Sequence, residues 1–114
     1  MNNTSNPPTN TTNAAGARQA YLDEALKHIK KEATAIDPDR LSLIVLMLLA
    51  WPSATVSRSE LSAFSGGVLH PRTIANKDAQ HTGITPSFRC GRRIYYRTVD
   101  VAIYMLNQMA TRRS

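Results

Sequence analysis

Pro86-Ser87-Phe88-Arg89-Cys90-Gly91-Arg92-Arg93-Ile94-Tyr95-Tyr96-Arg97 is the stretch on which the reading of this chain turns. Four arginines are interleaved with aromatics, and a glycine stands near the middle. Alternation on either side of Gly91 predicts a β-hairpin. Two registers compete. With a three-residue loop, Gly91-Arg92-Arg93, residues Phe88 and Cys90 face Ile94 and Tyr96, while Arg89, Tyr95 and Arg97 share the other side. With a two-residue loop, Arg93 falls beside Cys90 and Ile94 beside Arg89. The first register sorts apolar from charged side chains and is the one expected.

Upstream, Pro71-Arg72-Thr73-Ile74-Ala75-Asn76-Lys77 reads as a short polar helix. It opens at His70-Pro71, reaches about Gln80 and has Gly83 as its expected stop. Before it, Ser57-Arg58-Ser59-Glu60 is a capping-box pattern followed by Leu61, Ala63 and Phe64. Ser65-Gly66-Gly67 ends that segment. Helix, glycine turn, helix at this spacing predicts a helix-turn-helix. Downstream, Thr98 caps a last helix that runs to about Thr111. Val99, Ala102, Ile103, Leu106 and Ala110 form its core stripe. Val101, Tyr104 and Met105 form a second apolar strip, which invites a partner.

The first half of the chain is of a different kind. Residues 1–16 are mostly Asn, Thr, Ser and Pro with no charged side chain, a composition that predicts a disordered tail. Residues 17–114 are read as one domain, with a helical pair over 18–51 for core or dimer contacts and the helix-turn-helix with its hairpin over 57–111. Leu22, Ala25, Leu26, Ile29 and Ala33 make one apolar stripe on a helix from about Arg18 to Thr34. A second helix begins at the cap Asp37-Pro38 and ends at Trp51-Pro52. Leu41 and the run Leu43–Leu49 surround it, which places it in a core or a subunit interface. The stretch Leu41–Trp51, apolar except for Ser42, falls short of the ~20 residues that span a bilayer.

The charge is uneven. The chain carries a formal net charge of +6. Residues 1–56 hold five Lys/Arg against five Asp/Glu, and residues 57–114 hold nine against three. The whole excess lies in the half with the helix-turn-helix, which points to a polyanion partner. The plainer alternative is a solvated basic surface.

Several function classes find no support. No nucleophile–base pair, metal-ligand spacing or phosphate loop is visible, so no enzyme activity, cofactor or small-molecule substrate is expected. One cysteine and three scattered histidines do not make a zinc site. The Asn/Thr-rich start has no basic or apolar run, so a cytoplasmic protein, nucleoid-associated when bound to DNA, is the expectation.

Residues 57–106 resemble the winged helix-turn-helix of the excisionase and MerR-like group. The resemblance rests on Ser57-Arg58-Ser59-Glu60-Leu61, Pro71-Arg72-Thr73-Ile74, Gly91-Arg92-Arg93-Ile94-Tyr95-Tyr96 and Thr98-Val99-Asp100-Val101, in that order and spacing. The chain departs from the group in the long turn Ser65–Leu69, in Asn76-Lys77-Asp78 where an aromatic is common, and in Tyr104 where tryptophan is common. The resemblance implies a mainly α fold with a β-hairpin wing, preceded here by two extra helices. It also implies sequence-specific duplex DNA binding by a transcriptional regulator or a recombination directionality factor of a mobile element.

The residues that would carry such binding can be named from helix geometry. With Ile74 at the core-facing pole, Arg72, Asn76 and Gln80 point away from the core, and Thr73 and Lys77 lie on one flank. Arg suits guanine, and Asn and Gln suit adenine, in the major groove. A solvated helix face often has the same composition. On the hairpin, Arg89, Arg92, Arg93 and Arg97 are expected on phosphates or in a minor groove. Tyr95 either packs on an arginine or touches the sugar-phosphate. A homodimer or a DNA-bound oligomer is the expected assembly. The competing reading is a protein-interaction adaptor built on the apolar helix 38–51, with the basic half only assisting.

Overall fold

The structure, a computed structural model, describes residues 6–33 and 37–111, with side chains over 16–33 and 37–109. Among the described residues the fold is mainly helical with one small antiparallel sheet. The helices are α1 (Asn6–Glu32), α2 (Pro38–Ala50), α3 (Leu61–Ser65), α4 (Pro71–Ala79) and α5 (Thr98–Thr111). The strands are β1 (Thr55–Ser57), β2 (Ser87–Cys90) and β3 (Arg93–Arg97), in the order β1-β3-β2.

Helix α1 starts well before the expected position near Arg18. Residues 6–16, expected to be an unstructured tail, form its first turns. Pro7 and Pro8 fall in the opening turn, where a missing N–H costs nothing. Once Ala25 and Ile29 hold the helix to the core, each added residue needs only propagation, not nucleation. Residues 1–5 of that tail, and the expected end at Thr34, lie outside the described residues.

Helix α2 opens as the sequence predicts: the Asp37 carboxylate accepts the Arg40 backbone N–H at 2.8 Å, with Pro38 in the first turn. Its apolar girdle is not enclosed on all sides. Ile44 and Leu48 are buried, whereas Leu43, Leu46 and Leu49 are 45%, 61% and 43% exposed. Helix α5 takes one face of α2, and Leu43, Leu46 and Leu49 stand on the side left partly open to solvent.

Helix α5 is the centre of the molecule. It packs against α1, α2, β1 and β3. This overturns the expected second apolar strip, because Val101 and Met105 are buried and Tyr104 is half-buried. Both faces are apolar because both are covered. Thr98 is its first residue, and its hydroxyl donates outward to the Ser53 carbonyl at 2.8 Å instead of capping the helix.

Strand β1 has no strong signature of its own. It exists because it pairs with β3, Val56 opposite Tyr96, both fully buried. Its last residue starts the capping box: Glu60 accepts the Ser57 backbone N–H at 2.9 Å. A 3-10 turn, Arg58–Glu60, then leads into the short α3.

The hairpin adopts the rejected register. Cys90 pairs with Arg93, Arg89 with Ile94, Phe88 with Tyr95 and Ser87 with Tyr96. The loop is therefore the two residues Gly91-Arg92. Gly91 has φ +63°, the positive value required at the first position of a type II′ turn. Sorting apolar from charged side chains fixes a register only where both strands bury a face, and here they do not. All four residues of β2 are exposed, so only β3 has apolar residues to hide.

Helix α4 buries Ile74 at its inner pole, as its phase predicts. It ends at Ala79, and the residue with left-handed backbone after it is His81, at φ +63°, rather than the expected Gly83. Gly83 is needed for another reason. A Cβ there would lie 1.8 Å from Asp78 Oδ1 and 2.9 Å from the Asp78 nitrogen. The chain thus passes so close to α4 that no side chain fits.

Candidate nucleic-acid interface

The 3-10 turn after β1, the start of α4 and the tip of the hairpin border one cleft of about 260 Å³. Arg58 lines it from the turn and Pro71 from the first position of α4. Arg92, Arg93 and Ile94 line it from the hairpin. Arg92 and Arg93 are exposed, and among the described residues neither has a carboxylate within ion-pair distance. Arg89 is exposed on β2 directly opposite Ile94, so its side of the sheet is the side Ile94 presents to the cleft.

A part-buried polar cluster links these elements. Asp78, near the C-terminal end of α4, accepts from Arg58 Nη2 at 2.7 Å and from the Tyr96 hydroxyl. Arg58 Nε in turn donates to the Tyr96 oxygen at 2.9 Å. The second Asp78 oxygen accepts the Ile84 backbone N–H at 2.9 Å. One carboxylate therefore joins α4, the 3-10 turn, β3 and the loop before β2. The Arg58 and Asp78 side chains are 28% and 15% exposed, so their attraction is only partly screened. Burial, then the Asp78 hydrogen bond, push the Tyr96 pKa up to about 12.

The α4 residues singled out from the sequence divide into two groups. Arg72, Asn76 and Gln80 are exposed on the face opposite Ile74. Thr73 and Lys77 line a separate groove between α4 and α5, away from the arginine cleft.

The hairpin residues divide as well. Arg89, Arg92 and Arg93 are exposed and unpaired among the described residues. Tyr95 is half-buried on the sheet's other face, opposite Phe88 and Ser57. Arg97 is committed elsewhere. Its Nε and Nη2 meet the two oxygens of Asp100 at 2.5 and 3.0 Å, a bidentate pair. Asp100 is nearly buried, and His28 Nε2 lies 3.5 Å from it. Its carboxylate raises the Arg97 pKa further. The pair ties the end of β3 to α5 and, through His28, to α1.

Arg58 and Asp78 carry structure that reading the sequence missed. The capping-box pattern accounted for Ser57 and Glu60 and left Arg58 without a role. No local rule links Arg58 to an acid twenty residues on.

Among the described residues no group of His, Cys, Asp and Glu could hold a metal ion, and no helix is long and apolar enough to cross a membrane. Comparison of the chain with family models, with curated proteins and with solved structures found no match.

Proposed function

We propose that the protein binds duplex DNA as a winged helix-turn-helix, with α4 in the major groove and the β2–β3 hairpin as its wing. The observation that carries this reading is the shared cleft: Pro71 at the head of α4 and Arg92 and Arg93 at the hairpin tip border the same concavity. Two elements on one side of a molecule can grip one stretch of double helix. Arg72, Asn76 and Gln80 would read base edges, and Arg89, Arg92 and Arg93 would neutralise phosphates. Arg97 would act indirectly, by holding the base of the wing through Asp100. The excess positive charge of residues 57–114 favours the same partner. A transcriptional regulator or a recombination directionality factor fits this chemistry.

Selection of bound duplexes from a random pool, followed by methylation protection, tests the reading. Protection of guanine N7 within a short site supports α4 in the major groove, and recovery of no enriched duplex defeats it. The arrangement of sites separates the two roles. Inverted repeats fit a symmetric regulator, and direct repeats with bending fit an excisionase-like chain of monomers.

A second reading draws on a different observation. Leu43, Leu46 and Leu49 leave an apolar stripe on α2 open to solvent. An adaptor or dimer contact there would act with or without DNA. Loss of function on Leu46→Ser with folding intact, beside full function in Arg72→Ala, Asn76→Ala and Arg92→Ala, would favour it.

A further inference from the structure

Between α4 and α5 runs a groove of about 310 Å³. Leu69, Ile74 and Met105 are its buried floor, and Tyr104 stands half-buried in its wall. Val68, 70% exposed, stands at the lip. Small-molecule sites typically span roughly 300–1,000 Å³ and are mostly apolar with a few placed polar groups. Lys77 is the lysine of this groove, and no carboxylate pairs with it among the described residues. His70, at the N-cap of α4, lines the same groove.

This combination has a definite chemical preference. A hydrocarbon body gains by leaving water for the Leu69, Ile74 and Met105 surface. A single acidic head gains a charge-assisted hydrogen bond from the Lys77 ammonium. A cation would meet Lys77 with the wrong sign, and a highly charged anion would have nothing apolar to place on the floor. The acid closest in influence is Asp78, which acts on Tyr104 after burial in raising its pKa. Its charge is offset by Arg58 and its oxygens are occupied by Arg58, Tyr96 and Ile84.

We propose that this groove is a binding site for a small amphipathic anion, an apolar chain or ring bearing one carboxylate, with its body on Leu69, Ile74 and Met105 and its head at Lys77. The site stands independently of the duplex-binding reading, and its test contains no nucleic acid.

Octanoate is the probe, titrated into the full chain and followed by amide chemical shifts, with octanol as the neutral comparison. Saturable shifts confined to Val68, Leu69, Thr73, Lys77 and Tyr104 are expected. Lys77→Met keeps the apolar stem and removes the charge, and is expected to weaken octanoate about tenfold. Octanol is expected to bind the unaltered chain correspondingly weakly. Val68→Glu, at an exposed lip where folding is not at stake, sets a like charge and a polar group on the rim of the groove and is expected to weaken octanoate as well. No saturable shift, shifts centred on the exposed leucines of α2, or unchanged octanoate affinity in either variant would overturn the proposal.

Discussion

The Tyr96 hydroxyl donates to the Asp78 carboxylate, and this bond ties the middle strand of the sheet to the last turn of α4. Arg58 closes the triangle by donating to both. A part-buried polar cluster therefore joins α4 to the sheet that carries the hairpin.

Asp78→Ala removes the acceptor of three donors and leaves the Arg58 guanidinium partly buried without a counter-charge. Loss of a buried pair's partner costs about 3–5 kcal/mol when enclosure is complete, and the partial exposure here lowers the expected cost to about 2 kcal/mol. Urea unfolding measures it, and a loss under half a kilocalorie, on the order of a surface substitution, would contradict the role assigned to the cluster.

Alkaline pH should weaken the fold through Tyr96. Its pKa rises from 10.0 to about 12 on folding, so the folded chain holds a proton that the unfolded chain releases. The contribution is complete below pH 10 and is lost as pH climbs toward about 12. Its limit is roughly 2–3 kcal/mol. Tyr21 and Tyr104 are raised too, chiefly by burial, and add in the same direction. Tyr96→Phe isolates the tyrosine in question: its stability should fall less steeply over that window than the unaltered chain's. Parallel pH profiles would refute the assignment.

Gly83→Ala should be destabilising even though the position has no regular structure. The added Cβ must displace the Asp78 carboxylate or the α4 backbone. Overpacking of this kind costs about 1–3 kcal/mol. Gly91→Ala meets open space but must hold φ +63°, so its cost should be about 1 kcal/mol. Thermal denaturation of the two variants compares them directly.

Arg97→Ala and Arg92→Ala should fail in different ways. Arg97 is spent on Asp100, so its loss should lower stability and loosen the hairpin base. Arg92 is exposed at the tip, so its loss should leave stability within about 0.5 kcal/mol. Its effect should fall on duplex affinity. Unfolding curves beside binding curves separate the two, and equal stability losses would argue against this division.

Local rules carried part of the architecture. Asp37-Pro38 announced α2, and His70-Pro71 announced α4. Helix phase alone placed Ile74 inside and Arg72, Asn76 and Gln80 outside. What escaped depended on distant partners. Thr55-Val56-Ser57 offers one apolar side chain and becomes a strand because β3 completes it. The hairpin register escaped because β2 buries nothing, so no pattern in it could be sorted. The two-sided burial of α5 escaped because apolar residues on a second face look the same whether another element or a partner covers them. Within the candidate site, the arginine-rich tip was legible as charge. The tie of Arg58 to Asp78 was not. The Arg97–Asp100 pair was within reach, since the acid follows three residues after the arginine at a helix start.

On the proposed reading, α4 and the hairpin tip engage one duplex together. Fluorescence anisotropy of a labelled duplex across a salt series, with the unaltered chain and the Arg92→Ala/Arg93→Ala double variant, tests it most directly. The unaltered chain should bind at moderate ionic strength, and the plot of log affinity against log salt should be shallower by about two units in the double variant. No retention of any duplex, or equal slopes for the two proteins, would contradict it.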